Sequence, residues 1–456
     1  MNNYNQSLTI SMNHSTHPTR RQFLSTAACA AGAMAVPTIL PSSVFGAEGQ
    51  TAPGNKITIG CIGVGGMGTE NMKSFLGQPD CRVVAVCDVS ESKRLKAKER
   101  VDAQYGDQGC AMIADWRELV ARKDIDAVMI ATQDHWHSLI ATAAAKAGKD
   151  MYCEKPMGVS LDDGQAIRDA VRKHQRVFQA GTWQRSARDF RFTCELARNG
   201  YFGKIHTVEV ATDGTKYTAG YKGPRDPQPA PPVPAGFDWE MWQGPAQRHP
   251  YHPARTSGDW FMISDYSRGW TVNWGVHHLD IALWGCPELG TEPFEIESRV
   301  TWRNEGFTDT VNEWDATYTY ASGLKLVFKD QKKMPTGCRF IGDKGWVRVD
   351  RQWAGHPGLV ASEDSLLEIK LRPEDLHLYK SQNHVGNFLE CVRSRKDPVS
   401  DVDVTHKASY LGMLTETAGR LGQKLKWDPK REECIGNSDA NRMLHRPKSN
   451  GWKLEV

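Results

Sequence analysis

The 456-residue sequence lacks the features that mark several special classes of protein. It has no surplus of either charge. Its 57 Lys and Arg face 54 Asp and Glu, and setting aside Arg20 and Arg21 narrows the difference further. A chain so balanced offers no field with which to hold nucleic acid or an anionic membrane surface. None of its 11 cysteines belongs to a Cys-x-x-Cys pair. Cys29 lies near the N-terminus and the other ten are scattered, Cys61 and Cys87 within apolar β-type runs where a lone thiol behaves as a small hydrophobe. Free buried thiols are expected rather than a disulfide framework. There is no internal repeat, and no apolar run approaches the ~20 residues needed to cross a bilayer. What is present is 39% hydrophobic, with 15 Trp, 12 Tyr and 14 Phe. That is ample material for a packed interior, and the length suits two or three domains.

The first 19 residues carry no acidic side chain. Arg20-Arg21-Gln22-Phe23-Leu24 follows, then a mildly apolar run from Ser25 to Val36, then Pro37, Pro41 and small residues ending near Ala47. This resembles a twin-arginine export signal, so residues 1–47 are expected to be a leader and the mature protein to be periplasmic or otherwise exported. The apolar run is too short and too rich in Ala and Gly for a stable span, so none is expected once the leader is removed. That route carries proteins folded in a reducing cytoplasm, in keeping with free thiols.

Residues 55–180 alternate short apolar runs with helical stretches. Ile57 to Ile62, Val83 to Cys87, Ala127 to Ala131 and Val177 to Gln179 read as strands, and Thr69 to Leu76 and Leu139 to Ala147 as helices. Continuous apolar strands joined by helices predict an α/β fold whose parallel sheet is covered on both faces. Residues 181–456 change character. Ile205 to Val210, Phe294 to Thr301, Glu313 to Tyr320, Leu324 to Phe328 and Trp346 to Val349 alternate in polarity, with turns at Ala321-Ser322-Gly323 and Gly342 to Gly345. They predict an open, largely antiparallel sheet in a second, α+β domain. Between them, the Pro- and Trp-rich segment 220–258 reads as a binding loop, a lid or an interface arm. Helices at His384 to Ser394 and Lys407 to Leu421 close the pattern.

Directly after the first strand stands Gly63-Val64-Gly65-Gly66-Met67-Gly68, opening a helix. In such a Rossmann fingerprint the first Gly permits a tight turn, the second lets backbone approach a pyrophosphate, and the third lets helix pack on strand. Asp88, at the end of the second strand, can accept from the adenine ribose hydroxyls and repels a 2′-phosphate. NAD is therefore the expected cofactor, with Lys93 and Arg94 keeping NADP as the alternative. Thr132-Gln133-Asp134-His135-Trp136-His137 and Met151 to Pro156 follow other parallel strands, at the sheet edge where such folds bind ligands. Thr132, Trp136 and His137 are expected on the cofactor, and Trp183 and Arg185, after the Gln179-Ala180-Gly181 turn, on cofactor or sugar.

The Glu154-Lys155-Pro156 triplet, Trp274-Gly275-Val276-His277-His278-Leu279-Asp280, the stretch His384 to Arg395 and Leu425-Lys426-Trp427-Asp428-Pro429 resemble the Gfo/Idh/MocA oxidoreductases, the glucose-fructose oxidoreductase and inositol dehydrogenase group, in their exported bacterial branch. The resemblance implies a sugar or polyol held between the nicotinamide and the second sheet. It also implies that Lys155 bonds the reacting hydroxyl and the nicotinamide ribose, that Glu154 helps place the cofactor, and that His277 is the general base. Those residue types suit the chemistry, since a base of near-neutral pKa takes the hydroxyl proton while a cation steadies the developing alkoxide. One position departs from the family, which has Asp four residues before the His where this chain has Asn273. Asparagine can orient an imidazole but cannot offset its positive charge, so a weaker base is expected. His278 and Asp280 are second candidates, Asp280 more for structural hydrogen bonds, and no third ligand completes a metal site.

Three functions remain open at this stage: an NAD(P)-dependent oxidoreductase acting on a sugar, glycoside or cyclitol; a redox-neutral glycoside hydrolase or lyase working through a transient ketone; and a non-catalytic dinucleotide- or sugar-binding protein. Lys155 and His277 disfavour the third. The exposed sheet face of the second domain suggests a homo-oligomer.

Overall fold

Two sheets, built from strands of different character, organise the chain. The computed structural model describes residues 53–214, 216–352 and 358–455. The expected export segment, residues 1–47 with Arg20 and Arg21, lies outside them. Both sheets belong to one unit, Lys56–Val456. Among the described residues no helix is long and apolar enough to cross a membrane.

The first sheet comprises β1 (Ile57–Ile62), β2 (Cys81–Cys87), β3 (Ala111–Ile113), β4 (Ala127–Ile130), β5 (Asp150–Cys153) and β6 (Phe178–Ala180), in the order β3-β2-β1-β4-β5-β6. All five pairings are parallel. Strands β4 and β5 are buried at every position, because helices cover both faces. These helices are α1 (Gly66–Leu76), α2 (Glu91–Tyr105), α3 (Trp116–Ala121), α4 (His137–Lys146) and α5 (Leu161–Lys173). Succession runs outward from β1 toward β3, then returns to β4 and runs the other way. The carboxyl ends of β1 and β4 therefore part at a switch point, and a crevice opens there.

The chain continues through α6 (Arg188–Arg198) into the second sheet: β7 (Ile205–Thr212), β8 (Phe294–Trp302), β9 (Val311–Tyr320), β10 (Lys325–Asp330), β11 (Gly337–Gly342), β12 (Gly345–Val349), β13 (Leu359–Ala361), β14 (Leu425–Asp428) and β15 (Glu433–Cys434). Its order is β13-β12-β11-β7-β10-β9-β8-β14-β15. The pairings are antiparallel except β7 with β10. The strands alternate, as in β9, where Val311, Trp314, Ala316, Tyr318 and Tyr320 are buried. The short α7 (Trp239–Gln243) and α8 (Trp270–Asn273) lead to α9 (Gly275–Gly285); α10 (His384–Ser394), α11 (Val402–Leu421) and α12 (Ser438–Leu444) follow. Helices α9 and α11 pack on the inner face of this sheet, and the Tyr318 hydroxyl donates to the Leu411 carbonyl at 2.6 Å. Helix α10 goes elsewhere: Phe388 packs edge-on against Phe75 and Tyr152 of the first core.

The Pro- and Trp-rich segment forms an arm with its own core of Trp239, Trp242, Tyr251, Ile263, Tyr266 and Phe307. Glu91 N donates to the Gly236 carbonyl at 2.8 Å and Asp238 N to the Val89 carbonyl at 3.1 Å, which staples the arm to the turn after β2. Among the described residues all ten cysteines, from Cys61 to Cys434, are buried and form no disulfide with one another.

Candidate active site

Each strand of the first sheet delivers one piece of the crevice. At the end of β1, Gly63 adopts φ +80°, and a Cβ there would lie 2.6 Å from the Ala131 carbonyl oxygen. A Cβ at Gly68 would meet the Gly63 carbonyl oxygen at 1.8 Å, so α1 reaches the turn only without a side chain there. Gly65 and Gly66 are different. A Cβ at Gly66 would touch nothing within 4 Å, and one at Gly65 only the Lys93 ammonium at 3.5 Å. No side chain caps the start of α1, which leaves its first N–H groups beside the cleft for an anion. This cradle fits a pyrophosphate.

Asp88, after β2, accepts from Val64 N at 3.1 Å and from Ser90 N at 2.9 Å. Its carboxylate is thereby fixed at the crevice edge, with lone pairs to spare for a ribose. After β4, the 132–137 turn is tied on every side. Asp134 accepts from Ser267 Oγ at 2.7 Å, Trp136 Nε1 donates to the Trp242 carbonyl at 3.1 Å, and the His137 ring lies 2.7 Å from the Pro156 carbonyl and 3.1 Å from that of Thr132. After β5, Glu154 accepts from Asn71 Nδ2 at 2.9 Å, and the Lys155 ammonium reaches across to α8. It donates to the Asn273 carbonyl at 3.0 Å and to Asn273 Oδ1 at 2.9 Å.

These pieces surround one cleft of about 550 Å³, within the usual range for a small-molecule site. Gly63, Gly65, Gly66, Met67, Asp88, Thr132, Trp136, Glu154, Lys155, Trp183, Asn273 and His277 line it, joined by Asp134, Trp242, Trp260, Phe261, Trp274 and Arg351. Burial lowers the Lys155 ammonium from its ordinary value, and Glu154 and Asp134 pull it partly back. Burial also lowers the His277 imidazole well below its ordinary value, aided by the charges of Arg351 and Lys155. A neutral imidazole can accept a proton; a charged one cannot. Arg351 is held between the Trp183 and Trp274 rings at 4.4 and 4.6 Å, and burial lowers it to about 10. Among the described residues no group of three or more His, Cys, Asp or Glu could hold a metal ion.

Three expectations need correction. The Arg185 guanidinium does not line the cleft and grips Asp280 instead, Nε at 2.8 Å and Nη2 at 2.7 Å. His137 is buried and clamps two loops rather than facing a ligand. Asn273 does not orient His277. Its carboxamide is taken up by Lys155 and by Asp134, whose two carboxylate oxygens accept from Nδ2 at 3.1 Å each, while His277 Nδ1 is buried with no hydrogen-bond partner among the described residues. The spacing of four misled because α8 ends at Asn273 and α9 starts at Gly275, so no single helix carries both residues. Gly68 supports the turn without lining the cleft. His278 approaches Asp350 at 3.6 Å and Gln184 at 3.3 Å. Sequence reasoning gave no role to Asp134 or Arg351. Asp134 stood in a highlighted segment; Arg351 carried no local signal.

Residues 57–182 match the family described as "Oxidoreductase family, NAD-binding Rossmann fold", and residues 191–454 match "Oxidoreductase family, C-terminal alpha/beta domain". The chain belongs to the Gfo/Idh/MocA oxidoreductases. Its Rossmann domain is NAD-binding. Among curated Gfo/Idh/MocA-like relatives, a myo-inositol 2-dehydrogenase of Thermotoga maritima is 28% identical over 38% of this chain and 46% of that protein. The match thus spans about half of that relative's length. An uncharacterized oxidoreductase of Bacillus subtilis is 28% identical over 65% of this chain and 74% of its own. A glycosyl hydrolase family 109 protein of Shewanella amazonensis is 29% identical over 34% and 35%. Among solved structures, the WlbA dehydrogenase of Bordetella pertussis, in complex with NADH and UDP-GlcNAcA, has the same fold at TM-score 0.58 and 16% identity, covering 81% of this chain and 98% of that one.

Proposed function

We propose that the protein oxidises a secondary hydroxyl of a sugar, glycoside or cyclitol with a tightly held NAD. The carrying observation is that Lys155 and His277, from different sheets' worth of chain, line the same cleft as the Gly63 to Gly68 cradle. In this reading Gly65, Gly66 and the uncapped start of α1 hold the pyrophosphate and Asp88 the ribose. NAD, when bound, supplies the hydride acceptor. The depressed His277 imidazole takes the hydroxyl proton, and the Lys155 ammonium donates to the same oxygen as it becomes a carbonyl oxygen. Trp260, Phe261 and Trp274 give the cleft apolar faces on which a pyranose can stack.

A second reading draws on the glycosyl hydrolase relative and on how the cleft is roofed: the same oxidation makes a transient ketone, a neighbouring group is eliminated, and the ketone is reduced again. The roof is the arm, held from behind by the C-terminal tail. Asn450 Nδ2 donates to the Gly244 and Ala246 carbonyls at 2.7 and 2.8 Å, Lys448 pairs with buried Asp163, and Trp452 packs edge-on against Trp136. Such enclosure suits a cofactor regenerated in place. Export through the twin-arginine route fits the same picture, because a protein folded before export can carry its cofactor. A homo-oligomer formed through the outer face of the second sheet, where Thr207, Val327, Ile341 and Trp346 are half-buried, completes the proposal.

Screening a panel of sugars and glycosides, with cofactor absorbance and product release followed together, separates the readings. A ketone product, with the held NADH reoxidised in place by a second sugar, marks the oxidoreductase; cleavage with no net oxidation marks the redox-neutral enzyme. Lys155→Ala and His277→Ala should each abolish turnover while NAD binding persists, and loss of NAD binding instead would refute their assigned roles.

A further inference from the structure

Asn273 has a donor end and an acceptor end, and its two neighbours fix which is which. An ammonium can only donate and an ionised carboxylate can only accept. Lys155 Nζ therefore meets Oδ1 at 2.9 Å, and the Asp134 oxygens meet Nδ2 at 3.1 Å each. Asp134 is 1% exposed, Asn273 2% exposed, and Ser267 Oγ supplies the carboxylate with a further donor at 2.7 Å. The result is a buried row, carboxylate to carboxamide to ammonium, in which each bond polarises the next. An aspartate at 273 would set its own carboxylate against that of Asp134 at the distance where Nδ2 now lies, and two such groups cannot both stay ionised.

We propose that Asp134 is, beside Glu154, a second counter-charge of Lys155 and its positioning residue, acting through the Asn273 carboxamide, so that the negative charge missing from position 273 is carried one side chain further back. The chemical role of Lys155 rests on the oxidoreductase reading; the placement of the charge does not. Lys155 also faces Glu154, Arg351 and His277, and Asp134 also faces His137. Of the two carboxylates near Lys155, Glu154 is held by Asn71 and by the Lys155 backbone N–H, whereas Asp134 alone is joined to the ammonium through a side-chain bridge.

Competitive labelling of the full-length protein with trace acetic anhydride across a pH series, read by peptide mass spectrometry, reports the Lys155 titration midpoint without any substrate. Asp134→Asn should lower that midpoint by about one pH unit, a roughly tenfold change in free amine at fixed pH. Ser267→Ala, which leaves Asp134 in place but less well held as an anion, should lower it by less. The exchanged pair Asp134→Asn/Asn273→Asp should return it to the original value or above. Where a substrate has been found, the alkaline limb of the rate profile should follow the same order. A midpoint unmoved in whichever of Asp134→Asn and Ser267→Ala folds and binds NAD overturns the proposal. If the midpoint moves but no panel compound turns over, the charge relationship stands and the oxidoreductase reading is what fails.

Discussion

The Arg185 guanidinium and the Asp280 carboxylate form a two-pronged ion pair at 2.8 and 2.7 Å, with side chains 6% and 0% exposed. It joins the turn after β6 to the middle of α9, and the Arg185 guanidinium also stacks over Trp284 at 5.0 Å. Removing one partner strands a buried charge, which costs about 3–5 kcal/mol, whereas replacing both with apolar groups costs far less. Asp280→Asn should lower unfolding free energy by that amount in urea titrations, and Arg185→Met/Asp280→Leu should recover most of it. A loss under ~1 kcal/mol for Asp280→Asn would show that the pair is dispensable.

Asp88 has a different kind of consequence. A hydrogen bond to a charged acceptor contributes ~1.5–3 kcal/mol, so Asp88→Ala should weaken NAD binding roughly tenfold to a hundredfold while relieving the repulsion of a 2′-phosphate. Titrating both dinucleotides into cofactor-free protein checks this. Tighter binding of NADP than NAD by the unaltered protein would contradict the ribose role given to Asp88.

Acid should destabilise the fold early. Burial lowers His135 and His384 to about 4, and lowers His277 well below its ordinary value. The unfolded chain takes up these protons near pH 6.5 and the folded chain does not. Stability is therefore full above that pH and is lost as pH falls from 6.5 toward 4, at about 1.4 kcal/mol per pH unit for each proton withheld. Buried Asp134 and Asp401, whose carboxyls burial raises, oppose part of this slope. Urea midpoints at pH 7, 6, 5 and 4 test it, and a flat series would exclude the buried neutral histidines. In turnover, the acid limb set by His277 should fall below pH 6.5.

The tail behind the cleft's roof predicts slow cofactor release. Protein purified without added NAD should yield dinucleotide approaching one per chain on denaturation. Trp452→Ala, which removes a half-buried ring packed edge-on against Trp136, should speed NAD dissociation roughly 10-fold, since losing part of a large side chain's burial costs about 1.5 kcal/mol. Protein that comes off the column empty, with activity dependent on added NAD and matched by NADH release, would remove the retention idea.

Much of the first sheet was legible because its strands are buried on both faces and therefore read as unbroken apolar runs. The polar helix Glu91–Tyr105 left little trace, since only Ala97, Val101 and Asp102 of it are buried. Strand β11 was missed because glycines bound it and Arg339 interrupts its apolar residues. The second sheet was expected to be largely antiparallel and is; the parallel β7–β10 pair was not foreseen, because register between distant strands has no local signature. In the site, the glycine turn is a local feature and could be read directly. Lys155 and Asn273 lie 118 residues apart, and only resemblance pointed to that region of the chain. Nothing short of the fold could show that Asn273 turns toward Asp134 rather than His277, or that Arg185 turns toward a carboxylate 95 residues away.

Strand β7 is an interior strand of the nine-stranded sheet, yet both its neighbours, β10 and β11, are encoded more than a hundred residues later. On a ribosome adding ~5–20 residues per second, the segment Ile205–Thr212 waits several seconds with two bare edges before either neighbour exists. Val208 and Val210, fully covered in the finished protein, lack their strand neighbours throughout that interval. During synthesis this strand is the place where a holding chaperone has most to shield, and where two nascent copies on neighbouring ribosomes have the best opportunity to pair wrongly.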